Sequence, residues 1–349
     1  MRYYELTIRD SKGLPVELIG GQTLDFTSLN TGPTFFPSLG QSTNPSALHI
    51  EFDIPSISYD LPYVNSYIKI YGIPITAISQ GVNLNNGFVS LRAGMWKGLP
   101  LAQPKQNGLV LTGSILQAFG NWQDTNQTLE FYVSPTFMQY NTPFNFSGSI
   151  TKGVNLRDSI ISTIKTAFKT INISPNVNTA IRPDLVATET VSVTYPNLQS
   201  YNSWINNVSR SIINNPDYGG VKIISYGDFT KPSFFAYDTD TYQPAPKPIE
   251  FTDFIGQPTW LEPQIITFKT VLRADIQVGD IITLPSGTSD YQITTQQSYS
   301  QYRNKTVFNG NFFVLSMRHM GSFRDKNADS WVTQFQASPI NEMAKNINI

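Results

Sequence analysis

Apolar residues recur at every second position near both ends of this chain, and at every third or fourth position only in its middle. Alternation of period two places one face of a strand in a core, whereas helical spacing builds an apolar stripe along a helix. Tyr4–Arg9 alternates, and Leu48, Ile50, Phe52 and Ile54 fall on one face with His49, Glu51 and Asp53 on the other. The segments 67–71, 88–92, 109–112 and 128–133 continue the pattern, with Gly72, Pro74 and Asn85-Asn86-Gly87 punctuating the gaps. Several short strands at such spacing predict a barrel or sandwich over residues 1–135.

The period then changes. Residues 136–154 are polar and irregular, and read as a connection. Ile160, Ile161, Ile164, Phe168 and Ile171 predict a helix, with Asn155 as its N-cap and Asp158 in its first turn, where a negative charge favours the helix dipole. Leu198, Tyr201, Trp204, Ile205, Val208 and Ile212 predict a second helix, capped by Asn197 and ended by Asn214-Asn215-Pro216. Strands are expected at 190–195 and 220–224, giving a small α+β insert over 136–236. The Pro-rich run 242–248 marks a boundary. Strand patterning returns at 265–272, 280–284, 312–317 and 331–336, with a long polar loop over 286–306. The expected fold is mainly β with a small α+β insert, in the domain order 1–135, 136–236 and 237–349.

Composition narrows the function classes. A chain of 349 residues exceeds the size at which one core keeps growing, so two or three domains are expected. The formal net charge is −1, which gives no broad attraction for nucleic acid or anionic lipid. With no cysteine there is no disulfide, thiolate metal site or cysteine nucleophile. No stretch approaches the roughly 18 apolar residues of a membrane span, and the N-terminus lacks an apolar signal core, so no membrane insertion and no secretion signal are expected.

Residue types that carry chemistry are sparse. The two histidines, His49 and His319, are too few for a His-rich metal site, and surface, interface or structural roles are expected for both. Asp275 and Asp280 flank Gly279 and read as a turn into a strand, while Glu250, Asp253 and Glu262 are the acids from which a hydrolase site would be built. Gly20-Gly21 and Gly219-Gly220 are turn signals without a phosphate-loop fingerprint. Phe35-Phe36, Trp96-Lys97 and Trp122 could bind sugars or nucleic acid, but core packing or subunit contact is expected of them. No catalytic, cofactor-binding or metal-ligating residue is assigned, and no cofactor is expected.

Longer strings are more specific. They are 91–101 (LRAGMWKGLPL), 108–122 (GLVLTGSILQAFGNW), 251–263 (FTDFIGQPTWLEP), 271–280 (VLRADIQVGD) and 311–324 (NFFVLSMRHMGSFR), the last continuing to Trp331-Val332-Thr333. Together they resemble the baseplate central hub proteins of contractile-tailed bacteriophages and related prophages. The resemblance lies in both β ends and is weakest in the centre and the 286–306 loop. It implies two tail-tube-like β-barrel domains flanking the helix-containing insert. It also implies three copies in a pseudo-sixfold ring that joins the tail tube, or a tube-initiator protein, to the central spike. Such a homotrimer would contact baseplate wedge proteins, line the channel through which phage DNA passes, and reside in the virion after synthesis in the host cytoplasm. Some related hubs carry a fused lysozyme-like or peptidase domain, and no stretch here is long enough for one, so a non-enzymatic scaffold is expected. A tail-associated peptidoglycan-degrading enzyme and a host-glycan-binding module are the alternatives.

Overall fold

The structure is a computed structural model and describes residues 2–17, 23–29, 44–57, 65–79, 81–96, 106–134, 145–169, 173–215, 218–226, 232–238, 240–242, 244–262, 265–285 and 310–340. Its first part is built from strands β1 (Arg2–Arg9), β2 (Asp25–Thr27), β3 (Ile50–Ile57) and β4 (Ser66–Tyr71), a short helix α1 (Ile75–Ser79), and strands β5 (Phe88–Met95), β6 (Gly108–Gln123) and β7 (Asn126–Ser134). The alternation does what its period dictates: Tyr4, Leu6 and Ile8 of β1, Ile50, Phe52 and Ile54 of β3 and Ile68 and Ile70 of β4 are buried together in one cluster. Expected to begin at Leu48, β3 begins at Ile50, and Leu48 instead packs on the core while its carbonyl accepts the Tyr4 hydroxyl at 2.6 Å. The β6–β7 hairpin closes through a two-residue turn, with Asp124 at φ 54.

The central part contains β8 (Phe146–Ile150), α2 (Leu156–Lys169), β9 (Asn176–Ala180), β10 (Val191–Tyr195), α3 (Leu198–Ile213), β11 (Val221–Tyr226) and β12 (Ser233–Asp238). Both predicted caps are in place: Asn155 Oδ1 accepts the Arg157 N–H and Asn197 Oδ1 the Ser200 N–H, each at 2.8 Å. Asn214 ends α3 in the left-handed region at φ 49. Ile171, assigned to the first helix from its spacing, lies outside the described residues, and α2 ends at Lys169. The segment read as an irregular connection instead holds β8, which pairs antiparallel with β10. Its inward positions are Phe146, Gly148 and Ile150, and the glycine between the two apolar residues hides the alternation. That glycine is required, because a Cβ there would lie 1.9 Å from Thr163 Oγ1 of α2. A second sheet, in the order β11-β12-β9, packs one face on the helices, burying Ile223, Phe234 and Ala236 with Ile160, Ile164, Phe168 and Ile205.

The last part contains β13 (Lys247–Pro248), β14 (Thr259–Glu262), β15 (Ile265–Val271), β16 (Ile281–Leu284), β17 (Gly310–Ser322) and β18 (Trp331–Pro339). Ile266, Phe268, Ile282, Phe312, Val314, Phe335 and Ala337 form its core. The predicted polar loop over 286–306 lies outside the described residues.

The two β-rich ends are parts of one 13-stranded sheet, whose main path runs β14-β15-β18-β17-β3-β4-β7-β6-β5-β1-β2. The splice is the antiparallel pairing of β17 with β3, from Ser316 opposite Ile57 to Ser322 opposite Glu51. Gly321 makes the close approach possible: a Cβ there would sit 2.1 Å from Cζ of Phe52, its register partner, so the ring lies across bare backbone. Predicted as far as Met317, the strand runs on to Ser322 because Arg318, His319 and Ser322 have partners across the splice or within the β17–β18 pair.

Candidate assembly surfaces

The seam between the two ends is held by charged groups that sequence reasoning did not single out. Arg318 pairs bidentately with Asp53 across the β3–β17 splice, its Nε 2.6 Å from Oδ1 and its Nη2 on Oδ2. Arg2 donates to the carbonyls of Ser322 (2.7 Å) and Asn327 (2.8 Å), to that of Asp325, and to Ser330 Oγ (2.9 Å). Trp331 begins β18 yet is buried in the first core, donating its Nε1–H to the Gly94 carbonyl at 2.9 Å and meeting the Phe52 ring edge-on.

A buried ion cluster lies beside this seam. Arg273 Nη1 is 2.9 Å from Asp253 Oδ2, and its Nε and Nη2 grip Asp275 at 2.9 and 2.6 Å. Gln106, from the other end of the chain, donates to Asp253 Oδ1 at 2.8 Å, and its carbonyl accepts the Ala274 N–H. Burial pushes the Asp253 carboxyl up, against the pull of the Glu250 backbone N–H and of Arg273. Burial also works against the Arg273 charge, but the Asp275 and Asp253 carboxylates outweigh it and hold the guanidinium above its ordinary range.

The acids considered for hydrolysis therefore divide. Asp253 and Asp275 neutralise Arg273, Asp280 accepts Lys247 Nζ at 2.6 Å, and Glu250 forms a reciprocal capping box with Asp253. Glu262 stands apart on exposed β14. His49 Nδ1 accepts the Arg324 N–H at 3.2 Å, so its Nε2–H points to Glu51 Oε1, also at 3.2 Å. Trp96 packs on Tyr3 with ring centroids 5.0 Å apart, and Trp122 is 64% exposed at the β6–β7 turn. Phe35, Phe36, Lys97, Gly20 and Gly21 lie outside the described residues. Gly220 adopts φ 81 with Asn206 Nδ2 2.4 Å from where a Cβ would be, as a turn glycine against a helix requires. Among the described residues, no group of three His, Asp or Glu side chains is placed to hold a metal ion, and no helix is long and apolar enough to cross a membrane.

His319 is buried, with Nδ1 2.8 Å from Thr333 Oγ1, which in turn accepts the Arg273 N–H. Burial pushes its ring down from 6.5 to about 4. Below pH 6.5 the unfolded chain therefore binds a proton that the folded chain refuses. Stability should be full above that pH and fall until about pH 4, by up to about 3 kcal/mol. Urea midpoints measured from pH 7.5 to 4.5 should fall more steeply for the natural chain than for His319→Asn, and parallel curves would refute this role.

Two further surfaces face outward. On the β4–β7–β6 face, Glu130 accepts Tyr67 Oη (2.7 Å), Asn121 Nδ2 (3.0 Å) and Thr128 Oγ1 (3.0 Å), and lies 3.2 Å from Lys69 Nζ. Burial opposes its charge, but these donors outweigh it and hold the carboxyl below the usual range. At the end of the sheet, all four residues of β14 are exposed, Trp260 and Leu261 by 45% and 51%. A sheet edge bearing large apolar side chains is a ready template for another strand.

No protein-family description matches the chain, and no curated protein does. Among solved structures, the tail protein from Neisseria meningitidis MC58 is similar at 9% identity and TM-score 0.47, over 96% of each chain. The 43 kDa tail protein of prophage MuSo2 from Shewanella oneidensis is similar at 7% identity and TM-score 0.47, over 97% of this chain and 96% of that one. The E. coli c3393 protein is similar at 11% identity and TM-score 0.51, over 86% of this chain and 76% of its own. It is described as a component of the type VI secretion system with structural similarity to the T4 bacteriophage tail proteins gp27 and gp5. The chain described here shares that protein's fold, mostly β around a large antiparallel sheet, the fold class expected from its sequence.

Proposed function

We propose that this chain is a structural, non-enzymatic subunit of the baseplate hub of a contractile phage tail. Three copies form a pseudo-sixfold ring that joins the tail tube, or its initiator, to the central spike, contacts the wedge proteins and lines the channel for DNA. The carrying observation is the single 13-stranded sheet, which fixes two β units side by side in one polypeptide. Three copies of a rigid pair present six units, which is what a match between sixfold and threefold partners needs. We take the units to be 1–135 and 237–349, with 136–236 as the insert; support for this comes from three core clusters, although Leu272, Phe323 and Trp331 pack on the first from the last part of the chain. A non-enzymatic role is supported by the engagement of Asp253, Asp275 and Asp280 with Arg273 and Lys247. The net charge of −1 suits a channel that DNA passes without being held.

Ring closure places an edge of one copy against the next, and β14 offers such an edge. Mass photometry should report a trimer, and Trp260→Glu should weaken self-association by about 2 kcal/mol, roughly thirtyfold. A chain that stays monomeric at every concentration, with no ring on the tail axis of a particle map, would overturn the hub reading. A trimer indifferent to Trp260→Glu would move the contact elsewhere.

A further inference from the structure

We propose that the cleft between the small β11-β12-β9 sheet and the turn at residues 275–280 is a binding site for a short, uncharged oligosaccharide. The inference does not depend on the hub reading. The cleft has a volume of about 410 Å³, within the range of small-molecule sites, and lies between two separately packed cores, a preferred location for such sites.

Its floor is a sheet face. Asn178, Phe235 and Ile224 are register partners across β9, β12 and β11, and all three line the cleft. Tyr237, two residues along β12, shares that face, stacking on Phe235 with centroids 5.7 Å apart and planes at 19°. Tyr242 closes one side, edge-on to Phe235 at 4.9 Å and tilted on Tyr237 at 5.0 Å. The opposite face of the same sheet buries Phe234 and Ala236 against the helices. On the cleft side Phe235 and Tyr242 are half-buried and present their rings, while Tyr237 is buried behind them. Because the cleft is floored by side chains and not by a strand edge, it offers no ladder of backbone groups to an extended peptide.

The facing wall is polar but charge-balanced. Lys247 Nζ is held by Asp280 Oδ2 and by the Asp275 carbonyl, both at 2.6 Å, and the Asp275 carboxylate is gripped by Arg273. The lining offers neither an uncompensated cation for a phosphate nor an uncompensated carboxylate for an amine. What remains is aromatic surface on one side and, on the other, the Gln277 amide and paired groups with lone pairs and N–H bonds to share. Pyranose rings present that combination, with C–H faces that lie on aromatic rings and hydroxyls that both donate and accept.

The test is titration calorimetry and saturation-transfer NMR on the full chain with two probes, tri-N-acetylchitotriose and maltotriose. At least one should bind, and Tyr242→Ala and Gln277→Ala should each weaken binding tenfold or more. Gln277 is exposed, so its variant keeps the test valid should Tyr242→Ala fold poorly. If neither sugar binds, or if the folded variants bind as the natural chain does, the proposal is wrong.

Discussion

Arg273→Met is expected to lower stability by about 3–5 kcal/mol, measured by urea unfolding. The loss comes less from the attraction removed than from what is left behind. Asp253 is 3% exposed, and without the guanidinium its carboxylate keeps, among the described residues, only Gln106 and the Glu250 N–H as close donors. Asp275 loses both of its contacts with the same group. Asp253→Asn added to Arg273→Met should recover part of the loss, because a neutral amide is cheaper to bury than an unpaired carboxylate. If Arg273→Met costs less than 1 kcal/mol, or the second change brings no recovery, the cluster is solvated and not the buried network described.

Trp331→Ala should be comparably damaging, at about 3–5 kcal/mol, and its effect should be distributed in a telling way. The side chain belongs to β18 in sequence but to the first core in space, against Phe52 and Phe323, with Arg2 stacked 5.9 Å from its ring. Removing it leaves a cavity at the splice and strips the Gly94 carbonyl of its donor. Hydrogen exchange should therefore quicken along β3 and β17 before it quickens in α2 or α3. Trp331→Phe, which keeps most of the packing and loses the hydrogen bond, should cost about 1–3 kcal/mol. Uniform loss of protection across the whole chain would show that the seam is not a separate link in the fold.

How much of this could be read in advance varied with the range of the interaction. The caps at Asn155, Asn197 and Asn214 were legible because each is settled within a few residues of its helix end. Strands β1, β3, β4 and β7 were legible because their inward positions are filled by large apolar residues. β8 was not, since Gly148 occupies its central inward position. Nor was β14, a four-residue edge strand following Pro258 and exposed at every position, where no burial exists to impose a period. Asp275 and Asp280 were read as a turn, and they do flank one; Arg273 reaches Asp275 from two residues away, but Lys247 meets Asp280 only through the fold.

The order of elements, the mainly β class and the helical centre follow from the sequence alone, because hydrophobic period and capping act within a turn of helix or a few residues of strand. The joining of the two ends does not. Asp53 and Arg318 are 265 residues apart, and Arg2 and Ser322 are 320 apart, so nothing near any of them records the partner. Charged residues at such positions look like ordinary solvated surface until the β3–β17 pairing brings them together, and Arg318 and Asp53 stay partly exposed even then. The cleft arises in the same way: its aromatic floor and its polar wall come from different cores, and only their approach in three dimensions makes a site of them.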